Sequence, residues 1–112
     1  MKDCKVNVLG TEYSIQFRGS DQDELLTELD GYCDKTTKEI IVSKKDPGCN
    51  LKQFEVYQKK VTRHEIIHAF MFESGLAENF EHRSLGQEET TVDWIAIQFP
   101  KMLEAFKQAD CL

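Results

Sequence analysis

The residues best suited to chemistry in this chain lie in the segment VTRHEIIHAF, residues 61–70. His64 and His68 are four positions apart, so on a helix their imidazoles stand one above the other and can reach the same point. Glu65 is rotated from His64 by about a quarter turn. Its carboxylate can therefore lie beside a bound metal and act as a general base without being a ligand. The pattern H-E-x-x-H on a helix predicts a catalytic zinc site.

A structural interpretation of the same residues is that both histidines are neutral and hydrogen-bonded inside the core. That interpretation requires three polar groups to find three separate buried partners, because a buried polar group without a partner is costly. One metal ion satisfies both imidazoles at once. The pair, with a glutamate beside it in an apolar segment, therefore favours the metal site.

A catalytic zinc site takes three protein ligands and leaves one position for water. The downstream side chains that could supply the third ligand are Glu73, Glu78, Glu81, His82, Glu88, Glu89 and Asp93. In EETTVDWIA, Glu89 and Asp93 are themselves four positions apart, so both can face the helix that carries the histidines. Glu89 can then bind the metal while Asp93 accepts the distal ring N–H of a ligand histidine, with His64 as the expected partner. Glu88, about 100° round the helix from Glu89, is the weaker candidate.

These motifs resemble those of a known group of enzymes. HEIIH at 64–68, followed by a helix reading E-x-x-x-D, is similar to the gluzincin metallopeptidases, and ETTVDWIA from Glu89 resembles a segment of the ImmA/IrrE family. The chain as a whole resembles short metallopeptidase-like proteins of phages, and its size that of minigluzincins. Asp93 stands where the ImmA/IrrE segment often has Asn, and Pro100 comes earlier than the family's proline. The resemblance implies a minimal zincin-like fold with zinc on His64, His68 and Glu89.

The mechanism implied is zinc-dependent hydrolysis of a peptide bond in an intracellular protein or peptide. Glu65 would activate a zinc-bound water and then deliver the proton to the leaving amine. A second group for the oxyanion could be His82 or Tyr57, although His82 also suits a surface loop and Tyr57 the core or a helix surface. Gluzincin-like sites hold an extended substrate against an edge strand, and KEIIVSK at 38–44 is the candidate for that strand.

Two other classes of protein remain open from the sequence. A non-catalytic, zinc-stabilised binding protein would prefer a closed site with a fourth ligand, for which His82 or Glu88 could serve. Such a protein has no need of Glu65, so the glutamate favours the enzyme. A latent protease would cover its zinc with the C-terminal tail, where Cys111 offers a thiolate, although an exposed terminus is the simpler expectation.

Composition limits the partners of the protein. A chain of 112 residues with 40% hydrophobic and 30% charged residues indicates one ordinary globular domain. Its net charge of -6 and pI near 5.0 disfavour direct binding to nucleic acid, which needs clustered Lys and Arg. No apolar run is long enough for a membrane span or a signal peptide, so we expect a cytoplasmic protein. The four cysteines form no CxxC motif and are expected to be reduced thiols.

The elements that position the site can be predicted from periodicity. Alternating apolar residues on both sides of Gly10 predict a hairpin over about 5–18. SDQDELLTELDG then predicts a short helix that begins at Ser20 and ends at a left-handed Gly31. Two extended runs surround the polar turn at 35–38.

Two helices complete the prediction. The first covers about 51–74, with Asn50 as N-cap, and carries the histidines. A polar loop over 75–87 follows, and a last helix covers about 88–109, with a kink or break expected near Pro100. Its inner side is predicted to consist of Val92, Ile95, Phe99, Met102, Leu103 and Phe106. A small sheet followed by two helices is an α+β domain.

Overall fold

The computed structural model describes residues 1–79 and 87–112, with side chains for residues 1–78, 91, 94, 95 and 97–112. It confirms a small α+β fold in which a four-stranded mixed sheet packs with two helices. Two single 3-10 turns lie at Glu24–Thr27 and Leu76–Asn79. The strands and helices are β1 (Cys4–Val8), β2 (Thr11–Arg18), β3 (Gly31–Asp34), β4 (Glu39–Ser43), α1 (Phe54–Glu73) and α2 (Gln87–Gln108).

The predicted first hairpin is confirmed, and its turn has the tight two-residue form. Leu9 and Gly10 both have positive φ, 52° and 92°, as in the turns whose twist matches that of paired strands. The side chain of Asn7 accepts a hydrogen bond of 2.7 Å from the Gly10 N–H. Buried and outward-facing residues alternate along both strands, so one face of the hairpin is covered and the other is not.

The strand order is β1-β2-β4-β3, with β4 parallel to β2 and antiparallel to β3. The expectation that residues 38–44 form the edge strand is therefore wrong, because β4 is paired on both sides. The edge strand on that side of the sheet is β3. The Ser43 N–H donates to the Asp30 carbonyl at 2.8 Å. Asp30 and every second residue after it therefore direct their backbone N–H and C=O groups towards β4. The backbone groups of Gly31 and Cys33 consequently point to the outer edge.

A single apolar cluster joins the sheet to both helices. Its sheet members include Tyr13, Ile15 and Phe17 of β2, all at most 2% exposed. The helix residues in the cluster are Val61, Ile66, Ala69, Phe70, Met102, Ala105 and Phe106, and Ala109 joins them from the turn after α2. Helix α1 packs across β3 and β4, and α2 packs on β1 and α1. The helix that carries the histidines is thus held against the edge strand.

Two predicted helix ends differ from the structure. The segment after β2 forms only one 3-10 turn, capped by Asp23 instead of Ser20, and Gly31 begins β3 without a left-handed φ. Helix α1 begins at Phe54, one turn later than expected from Asn50, with no side-chain cap. Apolar periodicity detects the body of a helix, but its first turn depends on local competition between backbone and side-chain hydrogen bonds.

The predicted inner side of α2 is confirmed only towards the C-terminal end of the helix, and the side chain of Val92 lies outside those that the structure describes. Met102 and Phe106 are buried, but Ile95 and Phe99 are 46% and 49% exposed. Helix α2 runs from Gln87 to Gln108 without a break at Pro100. The C-terminal half of α2 packs on the sheet and on α1, and its residues Met102, Ala105 and Phe106 belong to the apolar cluster. Among the described residues, no helix is both long and apolar enough to cross a lipid bilayer. All four cysteines are free thiols.

Glu73, at the end of α1, fastens that helix to the sheet. Its carboxylate accepts hydrogen bonds of 2.6 Å from Lys38 Nζ and 2.6 Å from the Tyr13 hydroxyl, and one of 3.3 Å from Thr11. The hydrogen bond from Lys38, followed by that from Tyr13, lowers the pKa of Glu73 below its usual 4.5. Glu73 is thereby committed to a structural role and is not free to serve as the third metal ligand.

Replacing Glu73 by glutamine is expected to lower the free energy of unfolding at pH 7 by about 1–3 kcal/mol, since charge-assisted hydrogen bonds are lost. Because the folded pKa is lowered, the contribution of Glu73 is present above pH 4.5 and is lost as pH falls through the folded value. Urea unfolding at several pH values should therefore show that the free energy of unfolding falls less between pH 5 and pH 3 in the variant than in the wild type. Glu78→Gln, an exposed glutamate 3.9 Å from Lys35, is the control and should change little. A variant as stable as the wild type would contradict this role.

Candidate metal and catalytic site

The two histidines of α1 converge as their spacing predicts. The Nε2 atoms of His64 and His68 are 3.1 Å apart, and the ring centroids are 4.8 Å apart. Two nitrogens bound to one tetrahedral zinc at 2.0–2.1 Å are about 3.3 Å apart. The observed separation therefore fits a shared metal ion, with two ligand atoms already directed to one point.

The surroundings of His68 orient its ring and favour the neutral form of the imidazole. Its ring stacks on Phe72, one turn further along α1, with centroids 6.2 Å apart. Burial, followed by the nearby charge of His64, lowers the pKa of His68 below 6.5. The ring is therefore neutral at pH 7, which is the form of imidazole that binds metals.

Glu65 is 6% exposed. Burial alone raises its pKa from 4.5 to about 7, and no hydrogen bond or ion pair from the described residues offsets that cost. A buried carboxyl group without a partner is unfavourable for stability and is typical of functional sites. The same burial places its pKa where a group can both accept and release a proton at neutral pH.

His64 and Glu65 line a small cleft between α1 and the edge strand, which we call the histidine cleft. Its volume is about 230 Å³, and its other lining residues are Asp30, Gly31, Tyr57, Lys60 and Val61. The cleft can hold only a few atoms of a substrate. Gly31 and Cys33 present backbone N–H and C=O groups along its edge strand, and among the described residues these groups have no strand partner. An extended peptide could pair there.

Close packing of α1 on the edge strand depends on Gly31. A Cβ at this position would lie 2.9 Å from the Ile41 carbonyl oxygen, 3.0 Å from Val61 and 3.4 Å from Glu65. The sequence predicts Gly31 at a helix end and contains no local signal for this role in packing. A side chain here would push the helix, and Glu65 with it, away from the sheet.

Gly31→Ala is expected to lower the free energy of unfolding by about 1–3 kcal/mol, because the added methyl overpacks the strand–helix contact. Gly48→Ala is the matched control, since a Cβ at Gly48 meets nothing within 4 Å. The control should be neutral or slightly stabilising. Chemical denaturation of both variants measures the difference, and equal stabilities would show that Gly31 is not needed for close packing.

Tyr57, one of the two candidates for the oxyanion group, lies in α1. It lines the histidine cleft, and its hydroxyl donates to the carboxylate of Asp30. This hydrogen bond, followed by burial, raises the pKa of Tyr57. The tyrosine can act on an oxyanion only if its hydroxyl gives up the hydrogen bond to Asp30 and donates to the substrate instead. Asp30 was not anticipated from the sequence, because it is brought to the cleft by the sheet.

Cys33, on the edge strand, is a further neighbour of Glu65 that no motif in the sequence indicates. Burial, followed by the charge of Glu65, raises the pKa of the Cys33 thiol to about 12. The thiol is therefore neutral at pH 7 and is not a ready metal ligand. Within the described side chains, no group of three His, Cys, Asp or Glu is arranged to hold a metal.

Several predicted site residues fall outside the described part of the chain. His82 and Glu81 lie in the segment 80–86, which the structure does not describe. The side chains of Glu88, Glu89 and Asp93 are also outside the described part of the chain. The helix that carries Glu89 and Asp93 is nevertheless attached to the end of α1, because Trp94 Nε1 donates to Ser74 Oγ at 3.0 Å. Glu78 is exposed and lies near Lys35.

Comparison with protein-family models, with curated proteins and with solved structures returns no match.

Proposed function

We propose that this protein is a zinc-dependent metallopeptidase that hydrolyses a peptide bond in a cytoplasmic protein or peptide. One observation supports the proposal above all others. The Nε2 atoms of His64 and His68 meet at 3.1 Å, and the residue between them in the motif, Glu65, is buried with no hydrogen-bond or ion-pair partner among the described side chains. A purely structural helix gains nothing from this arrangement, whereas a hydrolytic site needs each part of it.

Zinc would be held by His64 and His68, with Glu89 as the proposed third ligand and Asp93 as the proposed acceptor for the distal N–H of His64. When bound, zinc supplies a Lewis acid that polarises the scissile carbonyl and makes water acidic at neutral pH. The attachment of α2 to α1 through Trp94 and Ser74 supports this ligand set, because it keeps the helix of Glu89 beside that of the histidines.

Glu65 is the proposed general base and acid. It accepts the proton of the attacking water and then donates that proton to the leaving amine. Its burial keeps the carboxyl group away from bulk solvent, so the proton is exchanged with the substrate in preference to the solution.

The edge strand β3 is the proposed guide for the substrate backbone. The N–H and C=O groups of Gly31 and Cys33 face outward, and Gly31 lines the same cleft as His64 and Glu65. A peptide added to this edge would run through the histidine cleft in an extended conformation. Hydrogen bonds to its backbone would position the scissile bond without selecting its sequence.

The purified chain, loaded with one equivalent of zinc, should cleave a peptide library at discrete bonds. Cleavage should stop on addition of 1,10-phenanthroline and return with added zinc. Tight zinc binding without cleavage of any peptide or protein would instead support the non-catalytic, zinc-stabilised binding protein. Failure to bind zinc at all would overturn every function based on a metal.

Glu89→Ala is expected to reduce zinc affinity by more than about 100-fold, because losing a ligand costs more than losing a supporting carboxylate. Glu88→Ala is the matched control and should leave zinc affinity within about threefold of the wild type. Asp93→Ala should fall between them, at roughly 10–100-fold. Competition with a fluorescent zinc chelator measures all three. A large loss of zinc affinity in Glu88→Ala alone would show that Glu88, and not Glu89, is the third ligand.

A further inference from the structure

A second, larger cleft lies directly beside the histidine cleft. We call it the loop cleft, because it is formed where the loop over residues 44–51 passes between β4 and the start of α1. Its volume is about 440 Å³. Asp30, Tyr57 and Val61 line both clefts, so the two are neighbours that share one wall.

The walls of the loop cleft are largely apolar. Val42 of β4, Leu51 of the loop, and Phe54 and Val61 of α1 supply them. Leu51 is 45% exposed and stands at the open side. The charged residues that line the cleft are the positive Lys44 and the negative Asp30 and Asp46. Because both signs are present, the cleft does not favour an occupant with a charged group. An apolar pocket of this size is typical of a binding site for one large side chain or a small molecule.

One buried polar group gives the cleft a specific acceptor. Gln58 is 6% exposed, and its Nε2 donates to the Ser43 carbonyl at 3.0 Å. Among the described residues, nothing donates to its Oε1. Gln58 lines the loop cleft, so an occupant with an O–H or N–H group could donate a hydrogen bond to this oxygen.

We propose that the loop cleft binds a tyrosine side chain of the peptide whose backbone lies in the histidine cleft. The aromatic ring would pack against Phe54, Leu51 and Val61, and the phenolic hydroxyl would donate to Gln58. This assignment rests on the proposed peptidase activity. The shared wall at Asp30 and Tyr57 places the tyrosine within a residue or two of the scissile bond, so the cleft would set which bond is cut.

Binding can be tested without catalysis or metal. The ¹⁵N-labelled, zinc-free chain is titrated with N-acetyl-tyrosinamide and with N-acetyl-alaninamide. We expect saturable chemical-shift changes at the side-chain amide of Gln58 and at Phe54 and Val61 with the tyrosine probe only. Absence of these changes, or equal changes with the alanine probe, would overturn the proposal.

A variant that fills the cleft tests the location. Gly48 lines the loop cleft, and a Cβ there meets no atom within 4 Å, so Gly48→Phe can place a ring in the cavity. It should abolish binding of N-acetyl-tyrosinamide. Asn50→Phe adds the same ring to an exposed position of the same loop and should bind like the wild type. Leu51→Asp, which charges the apolar wall, is a second variant should Gly48→Phe fail to fold. Unchanged binding in folded Gly48→Phe or Leu51→Asp would overturn the proposal.

Cleavage gives an independent readout. With zinc, a peptide with tyrosine beside the cleaved bond should be hydrolysed roughly 10- to 100-fold more efficiently than the same peptide with alanine, as expected for burying one aromatic side chain. Gly48→Phe should reduce that ratio to near one. Cleavage without a tyrosine preference would refute the loop cleft alone, whereas tyrosine binding without any cleavage would refute the peptidase alone.

Discussion

Glu65→Gln is expected to reduce hydrolysis by about 10²- to 10⁴-fold, the contribution of a positioned general base. The amide keeps the shape of the side chain but cannot accept the proton of the attacking water. Zinc affinity should be unchanged, because Glu65 is not a ligand in the proposed site. Peptide cleavage and zinc competition, measured on the same preparations, separate the two effects.

Glu55→Gln is the matched control for this substitution. Glu55 lies in the first turn of α1 with a side chain 68% exposed, 3.8 Å from Lys59, and its loss should not affect cleavage. Equal activity of wild type and Glu65→Gln would show that another group is the base. Loss of both zinc and activity in Glu65→Gln would make Glu65 a ligand and would contradict the proposed mechanism.

The stability of Glu65→Gln provides a further check, made without metal. The folded pKa of Glu65 is raised to about 7, so the folded state holds this proton more tightly than the unfolded state. The wild type therefore loses stability as pH rises from about 4.5 to 7, and the neutral glutamine does not. At pH 8 the variant is expected to be the more stable protein, by on the order of 2 kcal/mol. A lower stability of the variant at pH 8 would show that the ionised carboxylate has a partner.

His64→Ala and His68→Ala are each expected to lower zinc affinity by more than about 100-fold and to abolish cleavage. Each substitution removes one of the two nitrogens that meet at 3.1 Å. Zinc at 100 times its dissociation constant should stabilise the wild type by about 2.7 kcal/mol and should not stabilise either variant. Thermal unfolding with and without zinc measures this difference.

His82→Ala is the control matched by residue type. In an open catalytic site with three ligands it should retain zinc affinity, whatever its effect on cleavage. A loss as large as that in His64→Ala would identify His82 as a fourth ligand and would support the closed, non-catalytic site. Unchanged zinc affinity in His64→Ala and His68→Ala would place the metal elsewhere and overturn the proposed function.

The convergence of the histidines could be predicted from the sequence because it depends on local geometry. Positions i and i+4 of any α-helix are neighbours, so His64 and His68 meet once residues 54–73 are helical. The alternation in β1 and β2 and the turn at Gly10 are local in the same sense. These features gave the α+β fold and the core of the candidate site.

What the sequence by itself determined is therefore the set of elements and the spacing of groups within one element. Only the tertiary structure decided that β3, not residues 38–44, is the edge strand, because strand order is set by pairing between distant segments. It also decided that Glu65 is buried, that Gly31 allows close packing, and that Asp30 meets Tyr57. Each of these depends on contacts between residues far apart in the chain, whose free energies no local pattern contains.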